Sequence, residues 1–186
     1  MFYSVKGLEL GFRDATTEDA DAVAALHADS WRRNYRGAYR DSYLDGDVFE
    51  ERQEVWRARL RSEAGDRFTV VAIGGHEVVG FVHMVMDHDP QWGSLLDNLH
   101  VQEAWKRKGI GAELVRQAAG RLVVLRPGTP AFYLWVLAQN VAAQRFYEAL
   151  GGRLVETAER GPFPGGGSAM GHRMAWDDAR SLLGPH

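Results

Sequence analysis

Hydrophobic and polar positions change period several times along this chain, and each change marks an element. Leu8 to Arg13 alternates as a strand does, and Thr16 with Asp19 three residues later forms a capping-box pair opening a helix through Leu26 to Ser30. Trp31 to Leu44 is aromatic-rich and broken by Gly37, with Gly46 just beyond, which predicts a broken helix or loop. Val48 to Ala64 returns to helical spacing through Phe49, Val55, Trp56 and Leu60. Arg67 to Ile73 and Glu77 to Met86 are β-branched and apolar, joined at Gly74-Gly75 as a tight antiparallel hairpin would be. A loop holding His88, Asp89, Pro90, Gln91 and Trp92 precedes a strand at Leu95 to Val101, and a helix follows from about Gly109 to Val124. Phe132 to Leu137 predicts a strand, Val141 to Leu150 a helix stopped by Gly151-Gly152, and Arg153 to Thr157 and His172 to Trp176 two closing strands. Gly161 to Gly167 is too short for a linker and is expected to be a passive hairpin connection, with closure over the site as the alternative. The expectation is one domain over residues 1–186, of the α/β (α+β) class: a mixed, largely antiparallel sheet of about seven strands with helices on both faces.

Composition narrows the function classes. The chain has 186 residues, 45% of them hydrophobic, enough for a sizeable core. It has no cysteine, which excludes disulfides, thiolate metal sites and a cysteine nucleophile and fits a reducing cytoplasm. Met1 to Leu10 holds one lysine and no apolar run of signal-peptide length, and no apolar stretch approaches the ~20 residues that span a bilayer. A cytoplasmic protein without a membrane partner is expected. A net charge of -3 argues against nucleic-acid binding, so any anion site must be local. The seven histidines show no paired spacing, and although His83 and His88 are candidates to face a cleft, no metal is expected.

One local anion site stands out between Val101 and Leu114. The basic run Lys106-Arg107-Lys108 meets Gly109-Ile110-Gly111-Ala112 at the start of a helix. A helix N-terminus offers unpaired N–H groups and the positive end of its dipole, and glycine lets a phosphate approach that backbone. A Walker loop is excluded because Ala112-Glu113 follows Gly111 where lysine and a hydroxyl residue belong. A dinucleotide fingerprint is disfavoured because Leu114 stands at the third glycine.

The segment Lys106 to Gly111 resembles the acetyl-CoA pyrophosphate motif, Arg/Gln-x-x-Gly-x-Gly/Ala, of the GNAT superfamily of N-acetyltransferases. Lysine in the first place keeps charge but loses a forked donor. A second segment, Asn140-x-x-Ala143-x-x-Phe146-Tyr147 with Gly151 after it, resembles the family's next strand-helix element, in the right order. The match is best over Leu95 to Gly152, while the aromatic region Trp31 to Leu44 resembles the acceptor side of a bacterial subgroup. The resemblance implies a GNAT-like fold, acetyl-CoA as acyl donor and an amine as acceptor. It implies donor contacts from Leu99, His100 and Val101 on a splayed strand, from Lys106 to Ala112, and from Asn140 and Ala143. It also implies that Tyr147 stands near the sulfur as general acid.

Chemistry adds the base. An alkylammonium of pKa ~10 must lose a proton before attack, for which Asp97 is the leading candidate and His100 its rival. The resemblance further implies that Trp31, Tyr35 and the loop Asp87 to Trp92 border the amine pocket. The acceptor is expected to be a small molecule. The alternatives are a protein or peptide amine, or a non-catalytic acyl-CoA-binding domain, and the sequence leaves assembly as a homodimer open.

Overall fold

In the computed structural model, residues 2–5, 8–128 and 130–184 are described, with residues 2–5, 8 and 9 as backbone alone. The elements follow the chain as β1 (Phe2–Val5), β2 (Leu8–Asp14), α1 (Ala20–Asn34), a single turn α2 (Asp41–Leu44), α3 (Val48–Arg61), β3 (Arg67–Gly74), β4 (Glu77–Asp89) and β5 (Gly93–Val101). They continue as α4 (Ile110–Leu125), β6 (Phe132–Leu137), α5 (Val141–Ala149), β7 (Arg153–Arg160) and β8 (Ala169–Trp176). Every predicted strand is present. The sheet gains an eighth among the described residues, β1, paired antiparallel to β2 from Phe2↔Gly11 to Val5↔Leu8. A further correction is that β4 runs to Asp89, so His88 and Asp89 of the expected loop are strand.

Strand order is β1-β2-β3-β4-β5-β6-β8-β7, antiparallel throughout except between β5 and β6. Alternate residues send side chains to opposite faces, and the two faces carry different helices. Leu10, Phe12, Val70, Ala72, Val82 and Met84 join one core with α4, whose Ile110, Leu114, Ala118 and Leu122 recur every four residues as a buried stripe. Val71, Val78 and Phe81 join the other, under α1 and α3, around the fully buried Trp56. Helices therefore cover both faces.

The second core contains two buried imidazoles. Trp56 Nε1–H donates to His27 Nδ1 at 2.9 Å, and the Thr69 hydroxyl pairs with His83 Nδ1 at 2.8 Å; both Nε2 atoms are buried without a protein partner. Burial, then the Arg59 and Arg67 guanidinium groups, push the His83 pKa down to about 3 against a small opposing pull from Asp66; burial and cationic neighbours lower His27 as well. An unfolded imidazole takes its proton near pH 6.5, whereas folded His83 waits until about pH 3. Between those values the unfolded chain binds more protons, so stability falls as pH falls. We expect urea-unfolding free energies to drop below pH 6.5 by up to about 1.4 kcal/mol per pH unit for each such histidine, and His83→Gln to flatten that slope. An unchanged slope in the variant would show that His83 is protonated equally in both states.

Candidate active site

The sheet is thinnest in pairing at its centre. β5 and β6 share only Ser94↔Phe132 and Leu95↔Tyr133, after which they diverge and leave a wedge between Leu96–Val101 and Leu134–Leu137. The splay implied for the strand ending at Leu99-His100-Val101 is thus present. A cleft of about 540 Å³ occupies the wedge. It is lined by Leu99, His100 and Val101 from β5, by Lys106, Arg107, Gly109, Ile110, Gly111 and Ala112 before and within α4, and by Asn140, Ala143 and Tyr147 around α5. These are all but two of the residues expected to contact the donor or catalyse transfer; Lys108 and Asp97 are the exceptions. A broader depression of about 810 Å³ on the outer side of α4 holds neither motif.

The loop into α4 is shaped by two left-handed residues, Arg107 at φ 60° and the N-cap Gly109 at φ 84°. For a residue with a Cβ this region costs roughly 1–2 kcal/mol, a strain of the kind that clusters at ligand sites. The N–H groups of α4's first turn face the cleft beside Gly111, whose missing side chain keeps the approach open. Two of the three basic side chains have other contacts. Lys106 Nζ pairs with Glu103 at 2.7 Å, and Lys108 Nζ lies 4.6 Å from the centre of the Trp105 ring, outside the cleft lining. Arg107 has no ion pair among the described residues.

Across the cleft, Asn140 caps α5 by accepting from Ala143 N–H at 3.1 Å, and Gln144 Nε2 donates to the carbonyls of Leu137 and Ala138, fixing α5 to the end of β6. Tyr147 is held edge-on against Phe146 and Trp176. Its phenol pKa is raised by desolvation, with a smaller push from Tyr35. It stays protonated at neutral pH. His100 is buried with Nδ1 2.8 Å from Ser30 Oγ, and burial, then Lys106, push its pKa down to about 3.

Asp97 sits next door. β4 pairs His83 with Asn98 and Met84 with Leu96, so Asp97 is the extra residue of a bulge on β5. It lines a chamber of about 210 Å³ that shares Tyr35, Trp135, Val136 and Leu137 with the cleft. Arg59 of α3 reaches Asp97 Oδ2 and Asn98 Oδ1, both at 2.9 Å. Trp31, Tyr35, Tyr39, Trp135 and Phe163 form the aromatic walls, and Arg160 lies at the rim. Burial pushes the Tyr35 pKa up to about 12, with the Asp97 charge adding to it.

Trp31 and Tyr35 border this chamber as expected, but Asp87 to Trp92 lines neither cavity. His88 Nδ1 instead pairs with the Tyr133 hydroxyl at 2.6 Å, and Asp89 faces Arg173 at 3.4 Å. His83 also lines neither cavity and is buried under α3 beside Trp56. The glycine loop is more than a connection: Phe163 stacks on Tyr39 at 4.7 Å and walls the chamber. Sequence reasoning missed Trp135, Arg160 and Phe163. A signal existed for Trp135 alone, which falls on the strand phase opposite the core residues Phe132, Leu134 and Val136. No group of three or more histidines and carboxylates among the described residues is placed to hold a metal, and no helix there is long and apolar enough to cross a membrane.

Comparison with known proteins points the same way. The chain is 26% identical over 144 residues to the uncharacterized N-acetyltransferase YuaI of Bacillus subtilis (strain 168), covering 74% of this chain and 76% of that protein. Its fold is similar to that of the PaiA N-acetyltransferase of Thermoplasma acidophilum in complex with coenzyme A (TM-score 0.69, 20% identity, covering 88% of this chain and 97% of that one). It is also similar to that of a SpeG spermidine N-acetyltransferase variant from Vibrio cholerae (TM-score 0.66, 16% identity, 93% and 96% covered). Residues 26–152, which include both cavities' central strands and the α4 and α5 motifs, match the acetyltransferase (GNAT) family, and this chain belongs to that family.

Proposed function

We propose that this protein is an N-acetyltransferase that moves the acetyl group of acetyl-CoA directly to a small amine, with residues 1–186 acting as one domain. The carrying observation is the adjacency of two cavities: the wedge with the α4 N-terminus at one end and Tyr147 in its wall shares the lining residues Tyr35, Trp135, Val136 and Leu137 with the chamber holding Asp97. Relatives supply the donor, since PaiA is seen with coenzyme A and YncA of Salmonella typhimurium with its cofactor acetyl-CoA. The first turn of α4 suits the diphosphate, and the unpaired backbone of β5 suits an extended pantetheine arm. We assign the cytoplasm on the cysteine-free composition.

In this reading Asp97, directly or through water, takes the proton that the acceptor ammonium must lose. The neutral nitrogen attacks the thioester carbonyl, a β5 N–H steadies the developing oxyanion, and the C–S bond breaks. Tyr147 gives its hydroxyl proton to the departing thiolate and is reprotonated by the second proton that the acylated nitrogen sheds, while Asp97 returns its proton to solvent, so amide, free thiol and one proton leave. The desolvation that raises Tyr147 would raise a thiol held beside it in the same direction. His100 is buried against Ser30 and lies outside the chamber lining, whereas Asp97 lines it, so Asp97 is the base in this reading.

The decisive assay measures thiol release from acetyl-CoA with a panel of amines. Acceptor-dependent release is expected; tight acetyl-CoA binding without release to any amine would make this a non-catalytic binding domain. Asp97→Asn should lower kcat/KM about tenfold at pH 7 and much less at pH 9, where more of the amine is already neutral. A pH-independent loss would assign Asp97 a structural role through Arg59.

A further inference from the structure

The chamber's lining holds one carboxylate and one guanidinium, Asp97 and Arg160. They are not equivalent, because Asp97 is already held by Arg59 from outside the lining, whereas Arg160 has no carboxylate within ion-pair distance among the described residues. The other arginines around the aromatic walls are also offset: Arg52 over Trp31 by Glu51, and Arg173 over Trp135 by Glu156 and Asp89. Arg160 is therefore the lining cation left without an ion-pair partner among the described residues.

Arg160 is also placed, not merely present. It ends β7, and its guanidinium lies 4.2 Å from the centre of the Trp135 ring. The path is cleared by Gly171 on β8, where an added Cβ would meet Arg160 Cγ at 2.7 Å and Trp135 Cε3 at 3.3 Å. Glycine at this position lets the arginine stem lie flat across the sheet toward the chamber.

We propose that the acceptor is a small amino carboxylic acid, its carboxylate read by Arg160, its apolar body held among the aromatic walls and its amine turned toward Asp97 and the cleft. This rests on the acetyl-transfer reading above and names its substrate class. A guanidinium matches a carboxylate with two parallel N–H donors, and an apolar cage with one free cation disfavours a polyamine. At ~30 Å³ per water the chamber has room for about seven water-sized groups, which suits a free amino acid and excludes a folded peptide segment.

The test compares L-leucine with isoamylamine, which lacks only the carboxylate, and with spermidine, a short peptide and phosphoethanolamine. Wild-type kcat/KM should favour leucine over isoamylamine by ~10-fold or more, and Arg160→Gln should shrink that ratio roughly 10- to 30-fold, with Arg160→Lys in between. Arg160 is exposed, so melting curves should show both variants folded. Equal use of isoamylamine, preference for spermidine, peptide or phosphoethanolamine, or an unchanged ratio in Arg160→Gln would overturn the proposal. Calorimetry of leucine binding to the CoA-saturated protein needs no turnover. Arg160-dependent binding there without thiol release would retire the acetyl-transfer reading and keep this one, while Arg160-independent binding would retire this one alone.

Discussion

Tyr147→Phe is expected to lower kcat about 100-fold while acetyl-CoA affinity and melting temperature stay near those of the parent. The change removes one hydroxyl and keeps the ring, so the edge-on contacts with Phe146 and Trp176 persist. A lost general acid is worth ~10²-fold, a little under 3 kcal/mol of barrier. Because burial holds the phenol above its ordinary pKa, the parent's alkaline limb should show no loss of this proton up to about pH 10. Single-turnover rates separate chemistry from product release; equal rates for parent and variant would leave water as the proton donor and Tyr147 as a packing residue.

The second large effect is on donor binding. Gly111→Leu should weaken acetyl-CoA at least ~100-fold by calorimetry, through loss of two or so charge-assisted bonds at roughly 1.5–3 kcal/mol each. The protein itself has room for the first carbon. A Cβ at Gly111 would lie 3.5 Å from Phe146 and 3.8 Å from Val101, ordinary contacts, so Gly111→Ala should fold normally and bind with a smaller deficit. Leucine places its remaining atoms in the cleft. Gly109 works differently, since nothing stands within 4 Å of an added Cβ and its demand is the positive φ. Gly109→Ala should therefore cost stability, about 1–2 kcal/mol, before it costs affinity. Parent-like affinity in Gly111→Leu would remove the diphosphate from the first turn of α4.

Gly109 to Ala112 and Asn140 to Tyr147 are legible in the sequence because each is a local device, a helix start whose composition states its purpose within a few residues. The seven expected strands are legible from their apolar runs and alternation. The bulge at Asp97 is not, because it depends on the count of residues in β4 opposite β5 and leaves no mark in β5 itself. The aromatic chamber is legible only in part. Trp31 and Tyr35 announce themselves as aromatics beside a helix end, but Arg160 and Phe163 reach the same walls from the β7–β8 region, far along the chain. No short-range pattern reports that Phe163 will stack on Tyr39 or that Arg160 will lie over Trp135. The loop Asp87 to Trp92 departs from expectation because β4 continues to Asp89 and carries that turn toward Arg173.

The two-pair seam between β5 and β6 has a consequence for what the protein can admit. A strand with free N–H and C=O groups normally sits at a sheet's border, where any passing polypeptide can add to it and seed aggregation. Here such a border lies inside the molecule, with Tyr35 of the α1–α2 segment on one side and the first turn of α4 on the other. An arm with an amide every few bonds finds donors and acceptors there, so the molecule keeps its open border for a guest instead of exposing it to other chains.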